Sequence, residues 1–497
     1  MRRSTIILWA MVSLASFYFA YEILFVFPKL ATQGEVLFNT VLIGAEILCA
    51  MFSIYLYHSV FCATEWKHPR YKGIASMSSV PFVTIQIPTF NEPVRVLAET
   101  INACKRQDYP KDRYKIVVAD DSTDAMTVKR IHGLCRKKGV VFVHRNHRRG
   151  FKAGALNDAE ARVEGDVIAL LDADDMPEPS FLAHCVEVLM SDSNVAFVQT
   201  RNAERNDRTN TITGIGRMIR DLFFGAIMKS KDMRKLGIFC GSGGVIRRRA
   251  LRQMGGWPEE TVTEDIDLST KLFASGYISK YINPVECRGL LPTTFTGLAG
   301  QTFRWAHGTT HTLLLRWRMI LRIPSKTRKL EHLLSCSTYV LGPAILAIDL
   351  LMVAHLLFRI PIFHMYEPWS IWIFGVGFTL SSFSALLFVQ MADEKISMKR
   401  LFMYIFAVYG LAVNFTIAAA SAFIGRKSAF FRTPRSAGRK DYVKLMGRYW
   451  IEALIGLVSL YAGLTSLTNP VYNVQATWVI FFGVGFLTAP ILALKYG

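Results

Sequence analysis

The chain has no C-x-x-C pair; its eight cysteines, from Cys49 to Cys336, are scattered singly. That excludes a disulfide framework and a cysteine-built zinc site, and it fits a central domain on a reducing, cytosolic face. Acidic residues are also scarce, 38 against 58 Lys plus Arg, which leaves a formal charge of +20. No nucleic-acid-binding motif accompanies that charge, so a nucleic-acid partner is excluded. Much of the excess lies in 129–152 and 426–440. Cytosolic loops facing anionic lipid headgroups explain it.

What is plentiful is apolar sequence, 51% of 497 residues, and it is unevenly spread. Residues 1–62 and 330–497 are mostly apolar runs, while 66–325 reads as a soluble α/β segment. The expected division is 1–65, two N-terminal membrane helices; 66–290, a catalytic domain; 291–329, an amphipathic interfacial region; and 330–497, a C-terminal membrane bundle with a cytosolic loop at 425–440. Arg2 and Arg3 precede an apolar run that is longer than a signal-peptide core and is followed at once by a second. It reads as a retained helix with its N-terminus inside. Glu22 and Glu46 lie within these first two runs, and a buried hydrogen bond between helices is the simplest reading of them.

Later apolar runs fall near 333–358, 369–391, 401–424, 450–467 and 474–495. If all five crossed, the basic loop 425–440 would lie outside, against the positive-inside rule. The segment 401–424, with Asn414 in mid-run, is therefore expected to be interfacial or re-entrant. That leaves six spans, two before the catalytic domain and four after it, in a multi-pass protein of a plasma, cytoplasmic or Golgi membrane.

In the soluble part, β-branched runs at 83–87, 114–119, 140–144, 166–171 and 195–199 alternate with helical stretches. The alternation predicts a mostly parallel sheet whose ligands bind at the carboxyl ends of the strands. Acidic motifs stand at two of those ends. Asp172-Ala173-Asp174 follows the fourth strand. Alone it is an ordinary turn or helix cap, but at a strand end it suits a divalent cation with a ribose or diphosphate. Asp175 is expected to cap the next helix. Asp120-Asp121 ends the second strand, either as a helix-capping turn or as a nucleotide ligand, with Asp120 the better placed.

Thr89 and Glu92 follow the first strand and can hold a nucleoside. Lys152 opens a helix from a basic, small-residue loop and offers a point charge to a diphosphate. Cys240 sits in a glycine-rich turn with no base beside it and reads as a packing residue. Thr263 can cap a helix whose first turn holds Glu264 and Asp265, or Asp265 can be a general base. Gln301, Arg304 and Trp305 share a helical face, either at a membrane interface or against a sugar and a phosphate.

Together, Asp120, Asp172-Ala173-Asp174, Thr263-Glu264-Asp265 and Gln301-Thr302-Phe303-Arg304-Trp305, with Lys152 and Phe239-Cys240-Gly241-Ser242, resemble family 2 glycosyltransferases. The likeness is to the membrane-embedded synthases of cellulose, hyaluronan, chitin and mannan. It implies an α/β GT-A (Rossmann-like) cytosolic domain inserted in an α-helical transmembrane bundle, and an inverting hexosyl transfer. It assigns Asp265 as base. Thr89, Glu92, Asp120, Lys152 and Asp172 hold the nucleotide sugar. Cys240, Glu264, Gln301, Arg304 and Trp305 face the acceptor and diphosphate, and Asp172 and Asp174 hold Mg2+ or Mn2+.

Phe430-Phe431-Arg432-Thr433-Pro434-Arg435 matches the spacing of the cellulose-synthase gating loop F-x-V-T-x-K. Phe430, Thr433 and Arg435 stand at the matched positions, with Arg432 in place of Val. The implied partners are a nucleotide-sugar donor (a UDP-hexose by resemblance), a glycan or lipid acceptor and membrane lipids; no accessory subunit is named. Polymer synthesis with translocation is the main expectation. Single-sugar transfer to a ceramide or polyprenyl phosphate is the alternative. A non-catalytic transporter would explain Glu22, Glu46, Asp349 and Glu452 but would leave the acid set idle.

Overall fold

A computed structural model describes residues 3–69, 73–74, 77, 79–360, 366, 398–426, 445 and 447–497. Two antiparallel helices come first, α1 (Arg3–Tyr21) and α2 (Gln33–Glu65). Their pairing at the start of α1 and the end of α2 is fixed by Ser4, whose backbone N–H and hydroxyl donate to the Glu65 carboxylate at 3.0 and 2.9 Å. Thr32 and Glu35 form a capping box that starts α2, each side chain meeting the other's backbone N–H.

The soluble domain is built on one sheet: β1 (Val83–Thr89), β2 (Tyr114–Asp120), β3 (Val141–His144), β4 (Val167–Leu170), β5 (Met176–Pro177), β6 (Val195–Glu204), β7 (Gly244–Arg247) and β8 (Ile278–Gly289). The spatial order is β3-β2-β1-β4-β7-β6-β8-β5. β1, β2, β3 and β4 are mutually parallel, and β6 is parallel to β8. The parallel half matches expectation, since β4 is apolar and buried throughout and β1 is rich in β-branched residues and buried at every position but Pro88. Helices α3 (Val94–Lys105), α4 (Ala125–Lys138) and α6 (Phe181–Met190) supply the core on one face, through Leu97, Ile101, Ile131 and Phe181. α5 (Phe151–Asp158), α9 (Arg248–Gln253) and α10 (Glu264–Ala274) cover the other, through Leu156, Leu251, Leu268 and Phe273.

β7 departs from the parallel expectation and runs antiparallel to both β4 and β6. This reversal positions the site. Parallel strands deliver their C-terminal ends to the ligand-binding rim, whereas a reversed strand delivers the turn at its start. Gly244 opens β7 opposite Leu170, the last residue of β4. The turn Cys240–Gly243 therefore lies beside Asp172.

Between β6 and β7 stand α7 (Thr211–Leu222) and α8 (Met228–Met233). After β8 come α11 (Phe295–Ile320), α12 (Lys326–Ser337), α13 (Leu341–Phe358), α14 (Met398–Gly410), α15 (Ala412–Phe423), α16 (Trp450–Ser466) and α17 (Asn473–Tyr496). Five stretches among the described residues are long and apolar enough to cross a membrane: Arg3–Lys29, Gln33–Glu65, Lys326–Phe358, Leu401–Phe423 and Asn473–Tyr496.

Leu401–Phe423, expected to be interfacial, qualifies by length and composition, with a one-residue break at Leu411 between α14 and α15. The shorter helix is instead Trp450–Ser466, with 17 residues. At 1.5 Å per residue it reaches about 25 Å, short of a hydrocarbon core. The run expected at 369–391 lies outside the described residues, as does most of the loop 425–440.

The buried acids of the bundle are hydrogen-bonded between helices, as expected. The Tyr18 hydroxyl reaches Glu22 at 2.7 Å and Glu46 at 3.2 Å, and Ser459 donates to Asp349 at 2.9 Å. The domain is fastened to α2 by Trp66, whose indole N–H donates to Asp232 at 2.8 Å. Glu331 adds to this junction, accepting from Tyr55 at 3.1 Å and lying 3.5 Å from the fully buried Lys231.

Candidate active site

The C-terminal ends of β1, β2 and β4 open on a cleft of about 200 Å³. At one end, Asp120 ties three strands together behind the surface. It accepts from Thr89 of β1 at 2.8 Å, from Ser122 at 2.6 Å and from His144 of β3 at 2.8 Å. Its side chain is fully buried. The preference for Asp120 over Asp121 as the ligand-facing acid therefore reverses. Asp121 lines the cleft, held by Arg145 at 2.7 Å and Arg148 at 3.3 Å. Thr89 and Glu92 also line it.

Arg148 lies over the Phe90 ring at 3.7 Å from its centroid, giving the cleft a flat cationic wall. Sequence reasoning ranked Asp121 second and did not single out His144, Phe90 or Arg148. The signal for the arginines was present, in the basic run assigned to lipid headgroups.

Past β4, the Asp172 side chain is about half exposed in the cleft. Lys152, in the first turn of α5, reaches Asp172 Oδ1 at 2.8 Å and the Gly241 carbonyl at 2.7 Å, with Glu264 at 3.5 Å. Burial alone would lower the Lys152 ammonium; Asp172 and then Glu264 outweigh it and hold it above the usual lysine range. Asp174 also lines the cleft and accepts from the Leu290 N–H at 2.9 Å.

Asp175 does not cap the following helix. Its carboxyl accepts from the Asp172 N–H at 2.9 Å and from the Ser242 hydroxyl, clamping the acidic turn to the turn before β7. Burial, then Asp172 and Asp174, push it up to about 7. Among the described residues no three His, Cys, Asp or Glu side chains form a metal cage. Two cleft-facing carboxylates with acid crowding behind them fit a hard divalent cation that takes its other ligands from phosphate and water.

The turn Cys240–Gly243 is the meeting point. Gly241 adopts φ +73°. A Cβ there would lie 3.0 Å from Asp265 Oδ2, 3.4 Å from Lys152 Nζ and 3.5 Å from Glu264 Oε1. Three charged groups from α5 and α10 thus converge on a residue without a side chain. Asp265, in the first turn of α10, receives the Ile266 N–H at 2.8 Å. Burial, then Glu264, push its carboxyl up to about 7.

Thr263 does not cap α10 through its side chain. Its hydroxyl instead lies 3.3 Å from that of Thr312 on α11. Burial, then Asp265, raise the Cys240 thiol well above its ordinary value. That fits a packing residue beside the site rather than a nucleophile.

α11 closes the cleft with Gln301 and Arg304. Burial lowers the Arg304 guanidinium, while Glu264, Asp172 and Asp265 hold its charge in place. Trp305 is half-buried on the next position and lies outside the cleft lining, so the three motif residues do not face the same space. α11 is braced from the membrane side. Asn414 of α15 donates to the Ala299 carbonyl at 3.0 Å, and His307 donates to the Arg426 carbonyl at 2.9 Å. Phe430, Thr433 and Arg435 lie outside the described residues.

Residues 84–255, which carry this rim from β1 to the turn after β7, match the family Glycosyl transferase family 2. The likeness to family 2 glycosyltransferases covers that stretch only. Over 237 residues the chain is 36% identical to a probable glucomannan 4-beta-mannosyltransferase 7 of Oryza sativa subsp. japonica, covering 46% of this chain and 40% of that one. It is 34% identical over 236 residues to the cellulose synthase catalytic subunit [UDP-forming] of Pseudomonas fluorescens (strain SBW25), covering 46% and 31%. The chain thus spans less than half the length of these relatives.

In structure, the chain resembles a mannosyltransferase of Pyrobaculum calidifontis in complex with GDP-Man and Mn2+. The TM-score is 0.53 and the identity 18%, with 77% of this chain and 100% of that one covered. That likeness establishes a GT-A-like fold.

Proposed function

We propose that the protein transfers a hexose, with inversion, from a nucleotide sugar to a growing β-glycan and passes the product across the membrane. The observation that carries this reading is the convergence on Gly241 of an ionised Lys152–Asp172 pair and a raised Asp265. Asp265 accepts the proton of the acceptor hydroxyl. That oxygen bonds to the anomeric carbon as the bond to the diphosphate breaks. Lys152 and Arg304 take up the charge that the leaving diphosphate gains. Asp172 and Asp174 would hold Mg2+ or Mn2+, which supplies further neutralisation of that diphosphate. Asp121, with Phe90 and Arg148, suits the nucleoside end.

The relatives' names divide between a UDP-forming synthase and mannosyltransferases, so UDP-glucose and GDP-mannose are the donors to test side by side. Asp265→Asn should keep nucleotide affinity within about twofold and cut transfer roughly 100- to 10,000-fold, read by release of nucleoside diphosphate. Undiminished transfer by this variant would remove Asp265 from the reaction. A membrane-bound product digestible by a linkage-specific β-glycanase supports polymer synthesis. A product confined to one sugar on a lipid would replace it.

A further inference from the structure

The cleft holds one cation for which the proposed chemistry has no use. Arg220, on the last turn of α7, lines the cleft together with Asn202 of β6. Its side chain is only 18% exposed. Among the described residues no protein group hydrogen-bonds its guanidinium. The nearest carboxylate oxygen, Glu204 Oε1, lies 3.8 Å away, beyond hydrogen-bond length. Glu204 Oε1 is itself buried with no hydrogen-bond partner.

The neighbouring arginines differ. Arg201 meets Asp221 at 2.7 Å, and Arg217 meets Asp207 at 2.6 Å. A guanidinium carries five N–H donors in a fixed fork, and leaving them unmet in a largely buried place is costly. What Arg220 borders is the cleft, whose lining it joins.

The surroundings say what belongs there. The Cys240 thiol, raised chiefly by burial, feels the charges of both Asp265 and Arg220, with opposite sign. Asn202 reaches the Ser242 carbonyl at 3.4 Å, on the turn that Lys152 also binds through Gly241. Lys152 and Arg304 already face the diphosphate. Asn202, which lines the cleft with Arg220, is tied to the same turn against which Asp265 packs, and in the proposed reaction the anomeric carbon meets the base beside that turn. The oxygen atoms to be found there are hydroxyls of the transferred sugar.

We infer that Arg220 is a specificity-determining residue that donates its paired N–H groups to ring hydroxyl oxygens of the donor hexose, with Glu204 fixing the fork from behind. This rests on the glycosyltransferase reading above. A site built to bond a hydroxyl rejects analogues that lack it, because its own polar group is then left unpaired.

The test is calorimetry on the purified, full-length protein with Mg2+, using UDP-glucose, UDP and a UDP-deoxyglucose series, with GDP-mannose and GDP in parallel. In the wild type the nucleotide sugar should bind more tightly than its nucleoside diphosphate. Arg220→Met should erase roughly tenfold to a hundredfold of that difference while the diphosphate alone changes by less than about twofold, which also reports a folded site. Arg220→Lys should recover part of the loss. One deoxy analogue should lose affinity in the wild type but not in Arg220→Met.

Equal weakening of sugar and diphosphate by Arg220→Met would make Arg220 a phosphate ligand and overturn the assignment. So would deoxy analogues that lose the same affinity in both proteins. If the wild type binds none of the nucleotides, the glycosyltransferase reading of the cleft fails first, which is a separate result.

Discussion

Asp265 is half protonated near neutrality, because burial and the Glu264 charge push its carboxyl up to about 7. A base must be ionised to act, so below that pH the competent fraction falls about tenfold per unit and above it the rate levels off. The acid limb of kcat/KM should therefore lie near 7 in the substrate-free protein. Glu264→Gln removes the second cause of the shift and should move the limb to lower pH, measured as a pH–rate profile. A limb that stays in place would mean another group titrates. The placing of Asp265 beside Glu264 in the first turn of a helix was legible in the sequence from Thr263-Glu264-Asp265. The exchange between Asp120 and Asp121 was not. Which of two adjacent acids faces a ligand depends on partners 24 residues away, His144 and Arg145.

At the scale of elements, α11 packs against α10 through a glycine. A Cβ at Gly308 would lie 2.4 Å from Thr263 Cγ2. Gly308→Val should therefore push α11 from the first turn of α10, costing about 1–3 kcal/mol as overpacking. Arg304 would retreat from the acids with it. Thermal unfolding reads the first effect, and a fall in kcat beyond any stability loss reads the second.

The parallel strands were readable from β-branched runs that end on acids. β7 and β8 were not, since Gly244–Arg247 is only four residues long and β8 carries polar and charged residues among its apolar ones. The segment 401–424 was expected to be interfacial in order to keep the basic loop 425–440 inside, and Asn414 in mid-run supported that choice. The Asn414 amide is spent on the α11 backbone instead.

Across the whole molecule, the membrane helices are held by polar contacts as well as by apolar packing. Tyr18 is the sole hydroxyl bridging Glu22 and Glu46 among the described hydrogen bonds. Tyr18→Phe keeps the ring and removes the bridge, and should cost about 1–3 kcal/mol. A lower midpoint in detergent, with an unchanged KM for nucleotide sugar, is the expected outcome. An unchanged midpoint would mean the two acids find other donors. The division into a soluble catalytic unit and two blocks of apolar helices was plain from composition. The fastening of the unit to α2 through Trp66 and Glu331 was not, because it joins residues up to 276 positions apart.

The reversed strand β7 leaves its turn little latitude. Gly244 is in register with Leu170 on one side and with Gln199 on the other, so the strand is pinned at both edges. Adding a single residue between Cys240 and Gly244 would either swing every β7 side chain to the opposite face or bulge the turn outward. Either way Ser242 would leave the Asp172 N–H and the gap at Gly241 would fill. Such an insertion should abolish turnover even in protein that still assembles in membranes. Insertions in the exposed turn 110–112, before the opposite end of β2, should by contrast be tolerated, so a scan of single-residue insertions would map the rim without any substrate bound.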